Sequence, residues 1–523
     1  MTHTTRIQIL RSTVLASVLA LASVASWAAR DFTPQAGTWV ISEEVDGNPG
    51  RGLAIDVQGN TFIMQVYGYE QNGDATFYTA VGQMQGDTVT APLVRYTGGR
   101  SFGSGPRDAV EDHSLGDVIL RFSNGLQGTI QLPGEPEREI ERFLFAQRDA
   151  PHYKTEQWQG VTRDARWLGL NEQGQVVNAW RAMLQWGATD PMQLSLSNES
   201  SRSNLECTRP AQTQSIHCIA VSQTSSPVVK EAEFRLVGAQ VTGILTLQAE
   251  GAAPLQLQGV NTEAFFPPGA VILGGCCSRG VETYGQGSVP YGQQPSYLPS
   301  NGTWVIKDEL TSKPGRGISL DVQGGKMVMQ VFGYQANGQP TFHMGVGSYA
   351  AESEYSDTSS TRFSLQQYGG GRSVGGDPAS AYLVQDAGDV LVSVSGARSA
   401  TLAQAMVQFP GEEAKLMQRI PLESPQSLED RFFGEWYVPS FARLGGPLTV
   451  TLNRMDGDVA RNEEGSVRCQ LNAETQRARC LFNRSSDGVY DIDFSDEFVM
   501  SHNFVRVRDR HGNLTGLGNV PLD

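Results

Sequence analysis

Residues Gly37 to Gly82 are written out again at Gly302 to Gly347: aligned without a gap at an offset of 265, 25 of the 46 positions are identical. A chain carrying one unit twice must build two similar cores and two similar surfaces. GTWVI, PGRG, DVQG, MQV, GY, NG, TF and VG recur in the same order. Past that block, YTGGRSFG at 96–103 answers YGGGRSVG at 368–375 at an offset of 272, the seven extra residues fitting an insertion around AESEYSDTSS. QLPGE at 131–135 answers QFPGE at 408–412, and Cys207 and Cys218 answer Cys469 and Cys480, again eleven apart. Each copy spans roughly 230 residues, ample for a hydrophobic core.

The first 28 residues read as a secretory signal peptide. Arg6 and Arg11 make a basic start, Val14 to Ala22 an apolar stretch too short to span a bilayer, and Ser26-Trp27-Ala28 a small-x-small cleavage site. The expected location is the periplasm or the cell exterior. No later run is long and apolar enough to predict insertion into a membrane. Losing the two arginines takes the formal charge from −15 to −17, a sign that disfavours phosphate backbones, and no nucleic-acid partner is expected.

Six cysteines in an exported chain are read first as disulfides. Cys207 with Cys218 and Cys469 with Cys480 flank polar, turn-forming centres, as on the two arms of a hairpin. A metal site would need matching partners in both copies, and His217 is answered by Arg479, so no metal or other cofactor is expected. Cys276 and Cys277 are adjacent, lack counterparts, and leave two readings open, an oxidised pair in a linker or a link to another chain.

In copy one, short apolar or alternating runs fall at about 37–42, 52–58, 61–69, 75–83, 87–94, 116–123, 127–132 and 139–147, separated by turn pairs such as Asn72-Gly73. Leu53, Ile55 and Val57 alternate with Ala54, Asp56 and Gln58, the period of a half-buried strand. The expected class is therefore all-β. Each copy should be an up-and-down antiparallel barrel of about eight strands plus a small disulfide-braced β subdomain, since closure removes exposed strand edges. The boundaries read from the sequence are 29–150 and 301–424 for the barrels, 151–267 and 425–523 for the subdomains, and 268–300 for a Gly/Pro/Gln-rich linker. Val176, Val177, Trp180, Met183 and Leu184 have helical spacing, which allows one helix in the first subdomain.

Gly37-Thr38-Trp39 opens the first strand and Arg142 lies in the last; copy two repeats this with Gly302-Thr303-Trp304 and Arg419. The pattern resembles the structural signature of the calycins, the lipocalin and avidin-type barrels. The resemblance implies that Trp39 stacks with Arg142 and Trp304 with Arg419, closing one barrel end. The PGRG and Y-x-x-x-G-x-x-T-F pattern also resembles uncharacterised secreted bacterial proteins.

Three features could carry function. Gly99 to Gly103 and Gly371 to Gly375 both satisfy G-x-S-x-G, the nucleophile elbow of serine hydrolases, with Ser101 and Ser373 as nucleophiles. Helix breakers follow both loops, however, and the copies share no histidine position. The arginines Arg51, Arg100, Arg316 and Arg372, set among glycines, could grip an anion bidentately, or Arg51 and Arg316 could pair with Glu44 and Glu309. Tyr69, Phe77 and Tyr96, with Tyr334, Phe342 and Tyr368, could line a barrel interior or its mouth, or serve only as packing. Asp56, Asp117, Asp321 and Asp389 recur without a spacing that compels acid–base chemistry. The reading is an exported, non-enzymatic protein binding a small-molecule or polymer ligand through these arginines and aromatics. A serine hydrolase and a structural surface or matrix protein are the alternatives.

Overall fold

The computed structural model describes residues 30–513 apart from 31 and short interruptions, the longest at 146–158, 267–298 and 439–447. The signal-peptide reading, Cys276 and Cys277, and nearly all of the proposed linker lie outside the described residues.

Copy one opens with a closed antiparallel barrel of β1 (Gly37–Ile41), β2 (Gly52–Gln58), β3 (Thr61–Tyr69), β4 (Ala75–Gln83), β5 (Thr88–Thr97), β6 (Val110–Phe122), β7 (Gln127–Gln131) and β8 (Arg138–Arg142). Each strand pairs with the next, and β8 returns to β1. Period-two alternation fills the interior: Leu53, Ile55, Val57, Met64 and Val66 point inward and are fully buried with Trp39, Phe62 and Phe122.

The second part of copy one is more than an appendage. It is itself a closed eight-stranded barrel: β9 (Gln159–Leu170), β10 (Val176–Trp186), β11 (Met192–Ser197), β12 (Arg202–Thr208), β13 (Ile216–Ala220), β14 (Val229–Val237), β15 (Gln240–Leu247) and β16 (Leu255–Phe266). The stripe at 176–184 that also suits a helix is the strand β10. Positions 176, 180 and 184 satisfy both the helical i, i+4 spacing and an even strand spacing. Ladders to β9 and β11 decide between them, turning Trp180, Ala182 and Leu184 inward while Val177 and Met183 stay exposed.

Copy two begins with β17 (Gly302–Ile306), β18 (Gly317–Gln323), β19 (Lys326–Tyr334), β20 (Pro340–Ser348), β21 (Ala350–Ala351), β22 (Thr358–Gly369), β23 (Tyr382–Ser395), β24 (Gln404–Gln408) and β25 (Lys415–Arg419). This sheet is nearly closed, the seam between β20 and β22 resting on the single pair Met344 and Gln366. Beside the insertion seen in the sequence, β21 pairs with the start of β22, Ala350 opposite Ser360 and Ala351 opposite Ser359.

A short helix, α1 (Leu428–Phe432), with a Ser427–Asp430 capping box leads into the last unit. There β26 (Gly434–Val438) and β27 (Leu448–Leu452) pair with each other, and β28 to β32 form a five-stranded sheet between Arg454 and Asp493. The last described strands are β33 (Met500–Ser501) and β34 (Phe504–Arg508), the second of which pairs with β26.

Both expected disulfides are present. Cys207 faces Cys218 across β12 and β13, and Cys469 faces Cys480 across β30 (Val467–Asn472) and β31 (Arg477–Phe482), with each bridge fully buried. Cross-linking residues 11 apart limits the unfolded chain, so replacing Cys207 and Cys218 together by Ser should destabilise the second barrel by about 3 kcal/mol in denaturant titrations. The barrel at 37–142 should be unaffected.

Candidate functional site

The motifs that repeat most faithfully meet where the two copies face each other. Asp56 and Asp321 lie on the outer faces of β2 and β18, yet both are fully buried, because each is taken up by the other copy. Arg142 donates from both terminal nitrogens to Asp321 at 2.6 Å. Arg419 donates to Asp56 at 2.6 Å. The carboxylates also accept from backbone N–H groups of the G-x-W motifs, Thr38 to Asp321 and Thr303 to Asp56, both 2.8 Å, and Asp321 takes a longer bond from the Gln323 amide at 3.3 Å. Gly37 and Gly302 have φ of +126° and +125°, and a Cβ there would run into this same Arg–Asp pair. The glycine of each motif is thus required both by its backbone conformation and by the ion pair packed against it.

Arg142 does stand opposite Trp39, and Arg419 opposite Trp304, in the β-ladders. The contact that Arg142 makes differs from the stack that the calycin resemblance implies: the guanidinium meets Asp321 and the carbonyls of Thr38 and Phe143. The indoles are held instead by their own N–H, Trp39 to the Gln35 carbonyl at 2.8 Å and Trp304 to that of Ser300 at 2.9 Å.

The G-x-S-x-G loops are exchanged between copies. The loop after β5 crosses to copy two, where Gly98 N–H donates to Gly338 and Ala109 N–H to Pro314 of the second PGRG turn, both 2.7 Å. The loop after β22 makes the mirror contacts, Gly370 to Gly73 and Ala381 to Pro49, both 2.8 Å. Phe102 reaches the core of the copy-two barrel, 5.3 Å from the Phe409 ring and 4.8 Å from that of His343. Val374 packs against the copy-one core in the same way.

The four glycine-flanked arginines collect at these exchanged loops. Arg51 is forked onto Glu44 and Glu135, and Arg372 of the other copy joins Glu44 at 2.9 Å. Arg316 is forked onto Glu309 and Glu412, joined by Arg100 of the first copy. Glu135 also accepts from Gly375 N–H and Glu412 from Gly103 N–H. Burial alone would raise the Glu412 carboxyl, but the Arg316 and Gly103 hydrogen bonds and the nearby Arg100 charge outweigh it and hold the group at about 2. Glu135 is lowered for the same reasons by Arg51, Gly375 and Arg372. Such forked, charge-assisted bonds complete the hydrogen bonding of Arg51 and Arg316 inside the fold.

Both serines sit in this setting. Ser101 N–H donates to the Ser104 hydroxyl, which donates back to the Ser101 carbonyl. No helix follows either serine within its loop, and among the described residues no histidine is hydrogen-bonded to either hydroxyl.

The aromatics lie between the barrels. Alternation along β3 and β4 turns Met64 and Val66 inward and Tyr67, Tyr69 and Phe77 outward. Phe77 meets Phe332 and Tyr334 at 5.6 and 5.8 Å; Tyr67 and Tyr69 meet Phe342 at 5.3 and 5.8 Å. Tyr96 and Tyr368 pack on the edge of this cluster, partly buried. Sequence reasoning singled out these residues apart from Tyr67 and Phe332, but not their joint place, nor Glu135 and Glu412. The repeated Pro-Gly-Glu of QLPGE and QFPGE was the signal for the two glutamates. The chain matches no protein-family model, curated protein or solved structure.

Two predictions follow from this geometry. Asp321→Ala leaves Arg142 buried without its counterion, which should cost about 3 to 5 kcal/mol in chemical denaturation. Replacing the pair together, Arg142→Met with Asp321→Leu, should cost less than the single change. The second concerns His343, whose copy-one counterpart at the 265 offset is Tyr78. Burial pushes this imidazole from 6.5 down to about 4. Between those values the unfolded chain binds a proton that the folded protein refuses, so stability rises with pH across that window. It is lost as pH falls from 6.5 to 4, by up to about 3 kcal/mol. His343→Phe should lessen the pH dependence of stability there, leaving the part due to carboxylates such as Glu412, and Tyr78→Phe should leave it unchanged.

Proposed function

We propose that the protein is an exported, non-enzymatic binding protein whose duplicated, calycin-like barrels form one rigid frame. The observation that carries this reading is the reciprocal exchange of the G-x-S-x-G loops. Arg51, Arg100, Arg316 and Arg372, the groups best suited to gripping a substrate anion, bind Glu44, Glu135, Glu309 and Glu412 of the same chain. A serine hydrolase needs a base on its serine and oxyanion donors beside it. Here the N–H groups of Gly103 and Gly375, two residues beyond each serine, already face carboxylates.

The calycin-like part of the proposal is supported by a third occurrence of the motif. Gly434-Glu435-Trp436 opens β26, Trp436 is buried, and its ladder partner on the final strand is Arg506, as Arg142 is for Trp39. Export fits the two buried disulfides, which persist in oxidising compartments.

A fluorophosphonate probe should leave Ser101 and Ser373 unlabelled, and protein recovered from the cells that export it should carry a non-covalent companion mass in native mass spectrometry. Stoichiometric labelling of either serine, with hydrolysis abolished by Ser→Ala, would replace this reading with the enzymatic one.

A further inference from the structure

The second barrel contains two indoles that break a rule the other units obey. Trp39, Trp304 and Trp436 each donate Nε1–H to the carbonyl four residues earlier, Gln35, Ser300 and Phe432, at 2.7 to 2.9 Å. They can do so because each is the third residue of its strand, and the acceptor lies just outside the ladder. β9 is different. It starts at Gln159, so Trp167 lies well inside the strand, and the residue four before it, Arg163, is already paired with Thr262. The Trp167 indole makes no bond of that kind.

Trp167 is fully buried, its Nε1–H has no acceptor, and Trp180 is in the same position, 2% exposed and likewise unpaired. The two residues are direct partners across β9 and β10, so both rings project side by side to one face, and that face is the barrel interior. Trp167 is fixed edge-on against Phe234, with centroids 4.7 Å apart. Trp180 is seated against Gly169, where an added Cβ would come within 2.9 Å of the ring. Around them stand Leu184, Leu196, Leu205 and Leu245. Among the described side chains of this barrel, Ser203 is the one other buried polar group, and its hydroxyl accepts from Val228 and Val229 N–H.

An indole N–H is a donor only, and burying a donor without a partner is costly. Two such donors held side by side in an apolar lining are matched by a molecule that brings acceptor atoms. No described charged side chain is buried in the interior to pair with a charged guest. We propose that the interior of the second barrel binds a small, uncharged, mainly apolar molecule through a carbonyl or ether oxygen that accepts from Trp167 and Trp180. An eight-stranded barrel has an interior that side chains just fill or that holds one small ligand. This rests on the reading of the chain as a binding protein, and it places the binding away from the duplicated frame.

The test uses the full mature chain with benzophenone, which has a carbonyl, and diphenylmethane, which has nearly the same shape and none. Benzophenone should bind at least tenfold more tightly than diphenylmethane by tryptophan fluorescence, and irradiation should label peptides from 159–266. Trp167→Phe and Trp180→Phe should each erase most of that tenfold preference. Should either variant fail to fold, the unaltered protein carrying 15N-labelled tryptophan decides: two indole N–H resonances should move downfield with benzophenone and stay in place with diphenylmethane. Equal affinity for the two compounds with unmoved indole resonances would mean that the donors serve water only, and the proposal falls. Labelling confined to other parts of the chain would overturn it as well. If a native companion mass persists in a folded Trp167→Phe/Trp180→Phe double variant, this site is wrong while the binding reading stands; absence of any companion mass from the natural protein counts against the binding reading itself.

Discussion

Two buried carboxylates, Asp56 and Asp321, hold the arrangement of this molecule. Each leaves its own barrel wall and is satisfied by the other copy, through an arginine of the last strand and a backbone N–H of the G-x-W turn. A buried aspartate without those partners would carry a heavy desolvation penalty, so neither barrel surface suits solvent alone. The lock also packs against the glycine that begins each motif, where a side chain would collide with the Arg–Asp pair.

The exchanged loops extend that lock from one pair of ion pairs to a continuous interface. Backbone bonds at both ends, the Phe102 and Val374 contacts and the aromatic cluster of Tyr67, Tyr69, Phe77, Phe332, Tyr334 and Phe342 all obey the same approximate twofold relation. Most of the conspicuous residues of the repeat, arginines, glycines and aromatics alike, serve contact between copies. In a homodimer such residues would form an isologous interface; here the duplication has placed both halves on one chain.

The barrel at 159–266 stands apart from this logic. It shares the eight-stranded closure and the disulfide position with its neighbours' design but not the tryptophan cap, because its first strand runs well past the point where a cap could form. Its unpaired indoles are a local consequence of strand length.

The sequence by itself determined the duplication, the all-β class, the strands of the first barrel to within a few residues at most boundaries, and the pairing of Cys207 with Cys218 and Cys469 with Cys480. These are short-range properties: period-two alternation, turn pairs and hairpin spacing are written in consecutive residues. It also brought Asp56, Arg142, Arg51 and Tyr69 to attention, since repetition marks them. What only the tertiary structure decided is where those side chains go. Alternation says that Asp56 and Tyr69 lie on the outer face of a strand, but whether that face meets water or another copy depends on contacts more than 200 residues away. The same limit hid the second barrel, where positions 176, 180 and 184 fit helix and strand equally and hydrogen bonding to β9 and β11 made the choice.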